Sequence, residues 1–387
     1  MAAAQGLFLT NNILFVAVNG LVGFSLAPLP WMATLPILGY VVGGALSTSP
    51  VARSQAQWGR KVSFQIGLAV AFFSTLLATY AVLIQSFWLL VTATVIAGYY
   101  SANGQLYRFA AAELAKPEYR ERAVSMVLAG GIIGGVIGPN LAKWTQHVAA
   151  APFAGAYAAL AVIALIGMGV IAMVTFPPVP AKKPGDDTGR PLSEIMRQPV
   201  FIVSTAAAAL GYGVMNVLMA ASPIAMQICG HPFKDAALVL EWHVIGMFAP
   251  GFFTGHLIKR YGAHIILAAG VLLNLLCVAI ALSGVEVMNF VISMFLVGVG
   301  WNFLFTAGTA LSLKAYRPEE KDKAQGAINL CVFIVMMISS FSSGALVTTQ
   351  GWTLLNMISL APVLIAGVAV AWYWKRERAQ AAAAASA

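Results

Sequence analysis

Two short patterns carry the side chains best suited to chemistry: Met215-Asn-Val-Leu-Met219 and His243-Val-Ile-Gly-Met247. Each is a pair spaced i, i+4, which on a helix sets both side chains on one face, one turn apart. Thioether sulfur and imidazole nitrogen suit copper, thioether favouring Cu(I), whereas hard cations want carboxylate oxygen. Met215, Met219, His243 and Met247 are therefore candidate metal ligands, with copper as the cargo such a set would take. Methionine is also ordinary core filler, and that reading stands beside the first. Of the 13 acidic residues, only Glu241 falls clearly inside an apolar run. It is the candidate for proton coupling, with the alternative that it reaches headgroup water. Cys229, Cys277 and Cys331 are scattered and form no CxxC, so neither a disulfide framework nor a structural zinc site is indicated.

What these residues can do depends on the elements that hold them. The chain has 387 residues, 60% hydrophobic and only 9% charged, too few ionic groups to coat a water-facing surface. Apolar runs of roughly 18 to 25 residues recur along its length, each able to cross a hydrocarbon core about 30 Å thick as a helix. They predict an all-α membrane protein with twelve transmembrane helices over 7–28, 31–52, 62–83, 86–107, 121–144, 151–176, 200–222, 236–258, 264–284, 287–312, 324–348 and 352–374. Met1 to Gly6 carries no basic residue, so the first run is expected to be a retained span rather than a cleaved signal. At bilayer depth polar groups are costly and hence informative. Asn11, Asn12, Asn19, Asn103, Gln105, Asn216, Asn302 and Asn329 are candidates to line a cavity or to bond helix to helix.

The net charge of +9 needs no nucleic-acid partner, because the placement of the basic residues accounts for it. All but Lys143 and Lys234 of the 22 fall in alternate loops, after even-numbered spans, or in the tail. The positive-inside rule assigns that face, with both termini, to the cytoplasm. The polar stretch Pro177 to Gln198 divides the chain. The expected organisation is a six-helix half over 1–176, a cytoplasmic linker over 177–199, a second half over 200–374 and a tail over 375–387. The halves repeat in one direction: Lys116-Pro117-Glu118 returns as Arg317-Pro318-Glu319, and Trp58-Gly59 as Tyr261-Gly262.

These features resemble the major facilitator superfamily across the whole chain, whose two halves are parallel repeats. Gly255 to Gly262 resembles its loop motif after the eighth span. Gly59-Arg60-Lys61 is a remnant of the first copy, with Ala56 where the motif has an acidic residue. Gly130 to Pro139 resembles a glycine-rich element of the superfamily's antiporters, and close helix packing explains it as well. More narrowly, the two pairs and the segment Glu241 to Pro250 resemble the CcoA-type copper importers. In that branch a Met-x3-Met and a His-x3-Met bind the metal, here Met215, Met219, His243 and Met247. The resemblance implies copper import by alternating access, supplying assembly of a copper-containing oxidase.

If the seventh and eighth spans are antiparallel neighbours, Met215 and His243 lie level, Met219 nearer the outside and Met247 deeper, a descending ladder. Glu241, two residues from His243, would couple the cycle to protons. Relatives in the same branch move riboflavin. In that reading the methionines are cavity wall, and Trp301, Tyr99, Tyr100 and Tyr212 stack on an organic solute. A copper-binding sensor or assembly factor is a further alternative. No Ser/His/Asp set, P-loop or HExxH indicates an enzyme. The expected partners are the bilayer and the transported copper ion, with no cofactor, in a monomer.

Overall fold

With no water in the bilayer core, backbone groups must be satisfied within their own segment, so apolar runs of this length fold as helices. The computed structural model describes residues 1–116, 120–176, 189–317 and 320–386, and among them every regular element is helical. Pro117, Glu118, Pro318 and Glu319 of the internal repeat, and residues 177–188 of the linker, lie outside the described residues. The first half contains α1 (Ala2–Leu26), α2 (Leu35–Leu83), α3 (Phe87–Gly104), α4 (Tyr107–Leu114), α5 (Arg120–Thr145) and α6 (Ala154–Ala172). The short α7 (Leu192–Met196) lies within the expected linker. The second half contains α8 (Pro199–Ile228), α9 (Phe233–Phe248), α10 (Gly251–Tyr261), α11 (Ala263–Ser283), α12 (Val287–Ser312), α13 (Lys321–Thr349) and α14 (Gly351–Ser386).

Among the described residues, 9 helical stretches are long and apolar enough to cross a membrane. One of them holds the second and third predicted spans together. Residues 53–61 are polar yet contain no breaker except Gly59, where α2 kinks at φ 79° and ψ 171°. Counting its two arms separately and adding α3 with α4, and α5, gives the expected twelve spans in two sets of six. The fourth predicted span divides at Gln105 and Leu106 into α3 and α4. The eighth divides at Ala249 and Pro250 into α9 and α10, where proline offers no N–H to the helix ladder.

Within the first half α2 packs on α3 and α6, and α1 on α5. Within the second, α12 is the hub, contacting α8, α9 and α11, while α8 also carries α13 and α14. The halves meet where α5 lies on α9, α2 on α13 and α1 on α8. The glycine-rich stretch of α5 serves both kinds of contact. A Cβ on Gly134 would lie 2.7 Å from the Gly6 carbonyl of α1, and one on Gly135 2.4 Å from Val244 Cγ1 of α9. The packing reading of Gly130 to Pro139 is thus realised.

The two ends of the bundle differ. The end bearing the basic loops carries the described ion pairs: Arg60 with Glu113, Arg190 with Glu320 at 2.7 Å, and Lys314 with Glu377 at 2.9 Å. Glu320 is fully buried and also accepts from the Arg190 and Arg317 backbone N–H groups. Hydrogen bonds from the Arg190 side chain hold its carboxyl well below the usual range, against the desolvation that pushes it up. At the opposite, distal end the halves are joined by neutral contacts. Thr34 Oγ1 donates to the Ser340 carbonyl at 2.7 Å and accepts from the Gly344 N–H at 3.1 Å. Four exposed tryptophans sit toward the ends, Trp58 and Trp372 near the basic end and Trp88 and Trp144 near the distal end, while Trp242 is exposed along α9.

Candidate functional site

The candidate residues converge on the wall that α8 and α9 build against α12. Met215, Met219 and Met247 are buried and belong to one continuous apolar cluster with Met226, Met294 and Cys277. His243 is completely buried. Its Nδ1 lies 2.7 Å from the Met294 carbonyl oxygen, which can only accept, so Nδ1 carries the hydrogen. In the neutral ring Nε2 is then the acceptor, and it is buried without a partner. This close approach depends on Gly298 of α12, where a Cβ would lie 2.5 Å from the His243 oxygen and 3.0 Å from the Met247 nitrogen.

The predicted ladder differs from this arrangement in one respect. α8 and α9 touch each other little and both lean on α12, and the His243 ring is turned to the α12 main chain rather than along an α8–α9 seam. Among the described residues no three His, Cys, Asp or Glu side chains gather into a metal-holding group. A metal at His243 would therefore rely on thioethers. The cysteines lie apart, Cys229 exposed beyond α8, Cys277 buried on α11 and Cys331 half-buried on α13.

Glu241 is half-buried on α9, and Asn140 Nδ2 of α5 donates to its Oε2 at 3.4 Å. The carboxylate thus sits at the seam between the halves. Two residues along a helix is about 200° of rotation, so Glu241 faces α5 while His243 faces α12. Proximity in sequence does not make them one site.

A second constellation is aromatic. Trp301 and Phe305 of α12 stack at 5.3 Å and 12°. Tyr212 of α8 meets both edge-on, at 5.4 and 5.7 Å, and Phe248 of α9 meets Trp301 at 6.2 Å. Phe248 borders the first half, 3.7 Å from the Cβ position of Gly131 on α5. The Trp301 indole nitrogen is buried without an acceptor. Of the four aromatics named from sequence, Trp301 and Tyr212 come together here. Tyr100 packs instead with Phe8 in the first half. Phe248 and Phe305 complete the cluster from α9 and α12; the i, i+4 spacing of Phe305 from Trp301 is the sequence signal for the second.

Most of the buried asparagines bond to other helices. Asn216 donates to Ser339 and Ser340, Asn302 accepts from Thr254 and donates to the Met247 carbonyl, and Asn103 accepts from Ser63. They fix the wall more than they line a path through it.

The description Major Facilitator Superfamily matches residues 1–249 and 212–387. The chain is 38% identical over 361 residues to the riboflavin transporter RfnT of Brucella anthropi, covering 92% of this chain and 90% of that one. Among solved structures it is similar to a D-xylose-proton symporter, with TM-score 0.78, 13% identity and coverage of 97% and 96% of the two chains. It is also similar to the nucleoside transporter NupG, with TM-score 0.75, 12% identity and coverage of 95% and 98%. Matched along its whole length, with twelve spans in two halves, the chain belongs to the major facilitator superfamily of membrane transporters.

Proposed function

We propose that this protein imports an organic solute with a flat ring system, of riboflavin type, across a bacterial inner membrane by alternating access, with its basic face cytoplasmic. The observation that carries the reading is the aromatic wall at Trp301. Stacked and edge-on rings present a surface complementary to a planar heterocycle. The partnerless indole N–H beside them is a donor waiting for a carbonyl, since a buried polar group left unpaired costs free energy that a ligand can recover. The similarity to a riboflavin transporter supports the same substrate class. The test is uptake of radiolabelled riboflavin into proteoliposomes, and rescue of a riboflavin auxotroph that lacks its own importer. No uptake above protein-free liposomes refutes the reading.

A second reading, Cu(I) import for oxidase assembly through Met215, Met219, His243 and Met247, is favoured by the buried, partnerless His243 Nε2 in a methionine-rich wall. Copper uptake under reducing conditions separates the two. Replacing Met215 and His243 together by Ala abolishes copper accumulation in this second reading and spares riboflavin uptake in the first. In either case Glu241, placed between the halves, is the group proposed to couple the cycle to protons, and the monomer is the functional unit.

A further inference from the structure

At the distal end, between the halves, lies a cavity of about 540 Å³ lined by none of the residues of the Trp301 wall. Its lining alternates amide and imidazole side chains, Gln85, Gln146, His147, Gln227 and His231, with flat apolar surface. No Asp, Glu, Lys or Arg contributes to it. Phe153 of the first half and Phe233 of the second form part of the wall, ring to ring at 4.9 Å.

A second observation singles out the same place. Among the described residues only Gln85 and Phe153, apart from glycines, adopt positive φ, at 53° and 65°, and both line this cavity. Gln85 closes the end of α2, with its N–H on the Val82 carbonyl and the next N–H on the Ala81 carbonyl. That position ordinarily belongs to glycine. Left-handed backbone at a non-glycine residue persists where the surrounding structure over-determines it, and it clusters at ligand sites.

We propose that this vestibule is a capture site for a neutral heterocycle whose edge presents both N–H and C=O groups, such as an imide ring, ahead of the aromatic site. The inference rests on the organic-solute reading and adds to it a first station at the membrane surface. A carboxamide offers one acceptor and two donors in a plane, the match for an imide or amide edge. The volume falls within the range of small-molecule sites, about 300 to 1,000 Å³. A metal ion is poorly served, because the lining has no thioether or carboxylate and His231 Nε2 is already 2.7 Å from the Val285 carbonyl.

The test uses full-length protein with Cys229→Ser and a reporter, Ala151→Cys, in the cavity wall, labelled with a membrane-impermeant maleimide. Riboflavin is the probe. Saturating riboflavin is expected to slow labelling at least about threefold, and Gln85→Gly to raise the half-protecting concentration by about tenfold, the loss of one to two hydrogen bonds. Glycine relieves the left-handed strain, so Gln85→Gly keeps or raises the thermal midpoint, and a purely structural role for Gln85 predicts unchanged protection. Labelling indifferent to riboflavin, or protection unaltered by Gln85→Gly, overturns the capture site. Proteoliposome uptake of the same probe separates the two ideas. Uptake without protection removes the vestibule alone, protection without uptake removes the transport reading alone, and failure of both removes both.

Discussion

Replacing Thr34 by Val tests whether the distal contact between α2 and α13 governs the balance of states. The hydroxyl is buried, 1% exposed, and holds two hydrogen bonds, at 2.7 Å to the Ser340 carbonyl and 3.1 Å from the Gly344 N–H. Gly344 permits this approach, since a Cβ there would lie 2.3 Å from the Thr34 hydroxyl oxygen. Valine keeps the branched shape and removes both bonds. At about 0.5 to 1.5 kcal/mol net for each, the loss is about 1 to 3 kcal/mol. The contact joins the two halves at one end, so it exists only while that end is closed, and its whole loss falls on one state. The distal-open population should rise roughly 5- to 150-fold relative to the closed one. The assay is the spin–spin distance between labels at Val148→Cys and Met288→Cys, both exposed near the distal end on opposite halves, in a background without native cysteines. Thr34→Val should add a longer-distance population, and Thr34→Ser, which retains the hydroxyl, should not. A folded Thr34→Val protein with the parental distance distribution refutes the reasoning.

Four further outcomes are expected. Gly298→Ala drives a methyl into the α9 backbone behind His243, an overpacking cost of about 1 to 3 kcal/mol, read as a lowered midpoint of thermal unfolding. Trp301→Phe keeps an aromatic face and loses the N–H, so riboflavin affinity falls by about tenfold or less, whereas Trp301→Leu removes stacking worth about 0.5 to 1.5 kcal/mol as well and falls further in binding titrations. Glu241→Gln keeps size and hydrogen bonding but cannot exchange a proton, so uptake slows and loses its pH dependence; a retained pH response assigns coupling elsewhere. Glu320 has a depressed pKa in the fold, so its pairing stabilises fully above the ordinary carboxylate range and is lost as pH falls through and below it. Arg190→Gln should therefore lower stability at neutral pH and flatten the decline on acidification, checked by thermal unfolding across pH 3 to 7.

The spans were legible because a 30 Å apolar core demands runs that no other feature of the chain imitates. Their breaks and joins were less so. Nothing in the polar residues 53–61 except Gly59 stops a helix, so the loop expected from composition shrinks to one non-helical residue between two helical arms. Pro250 was visible, but whether it kinks or divides a span depends on neighbours. The soft-ligand pairs were found by their i, i+4 spacing, and all four residues are indeed buried. Spacing fixes a shared face and not what that face meets, so the turn of His243 toward α12 through Gly298 was hidden. Likewise Tyr212 and Trp301 were named as stacking residues, while Phe248, from a third helix, joins them only through packing. The left-handed Gln85 and Phe153 could not be read at all, because their conformation runs against the residue types that usually announce it.

The exposed tryptophans fix how this bundle sits in its solvent. Trp58 and Trp372 mark one level and Trp88 and Trp144 another, and indole rings settle at the headgroup boundary rather than in hydrocarbon or water. Between those levels the 21 residues of α11 rise about 31 Å, close to the thickness of an ordinary hydrocarbon core. The two girdles therefore act as a gauge of bilayer thickness. In a thinner membrane the helices must tilt or the lipid must stretch, each at a fraction of a kcal/mol per ångström of mismatch. Such a strain of only a few ångströms rivals the two hydrogen bonds of Thr34, so acyl-chain length shifts the transport cycle to the extent that its end states differ in hydrophobic thickness.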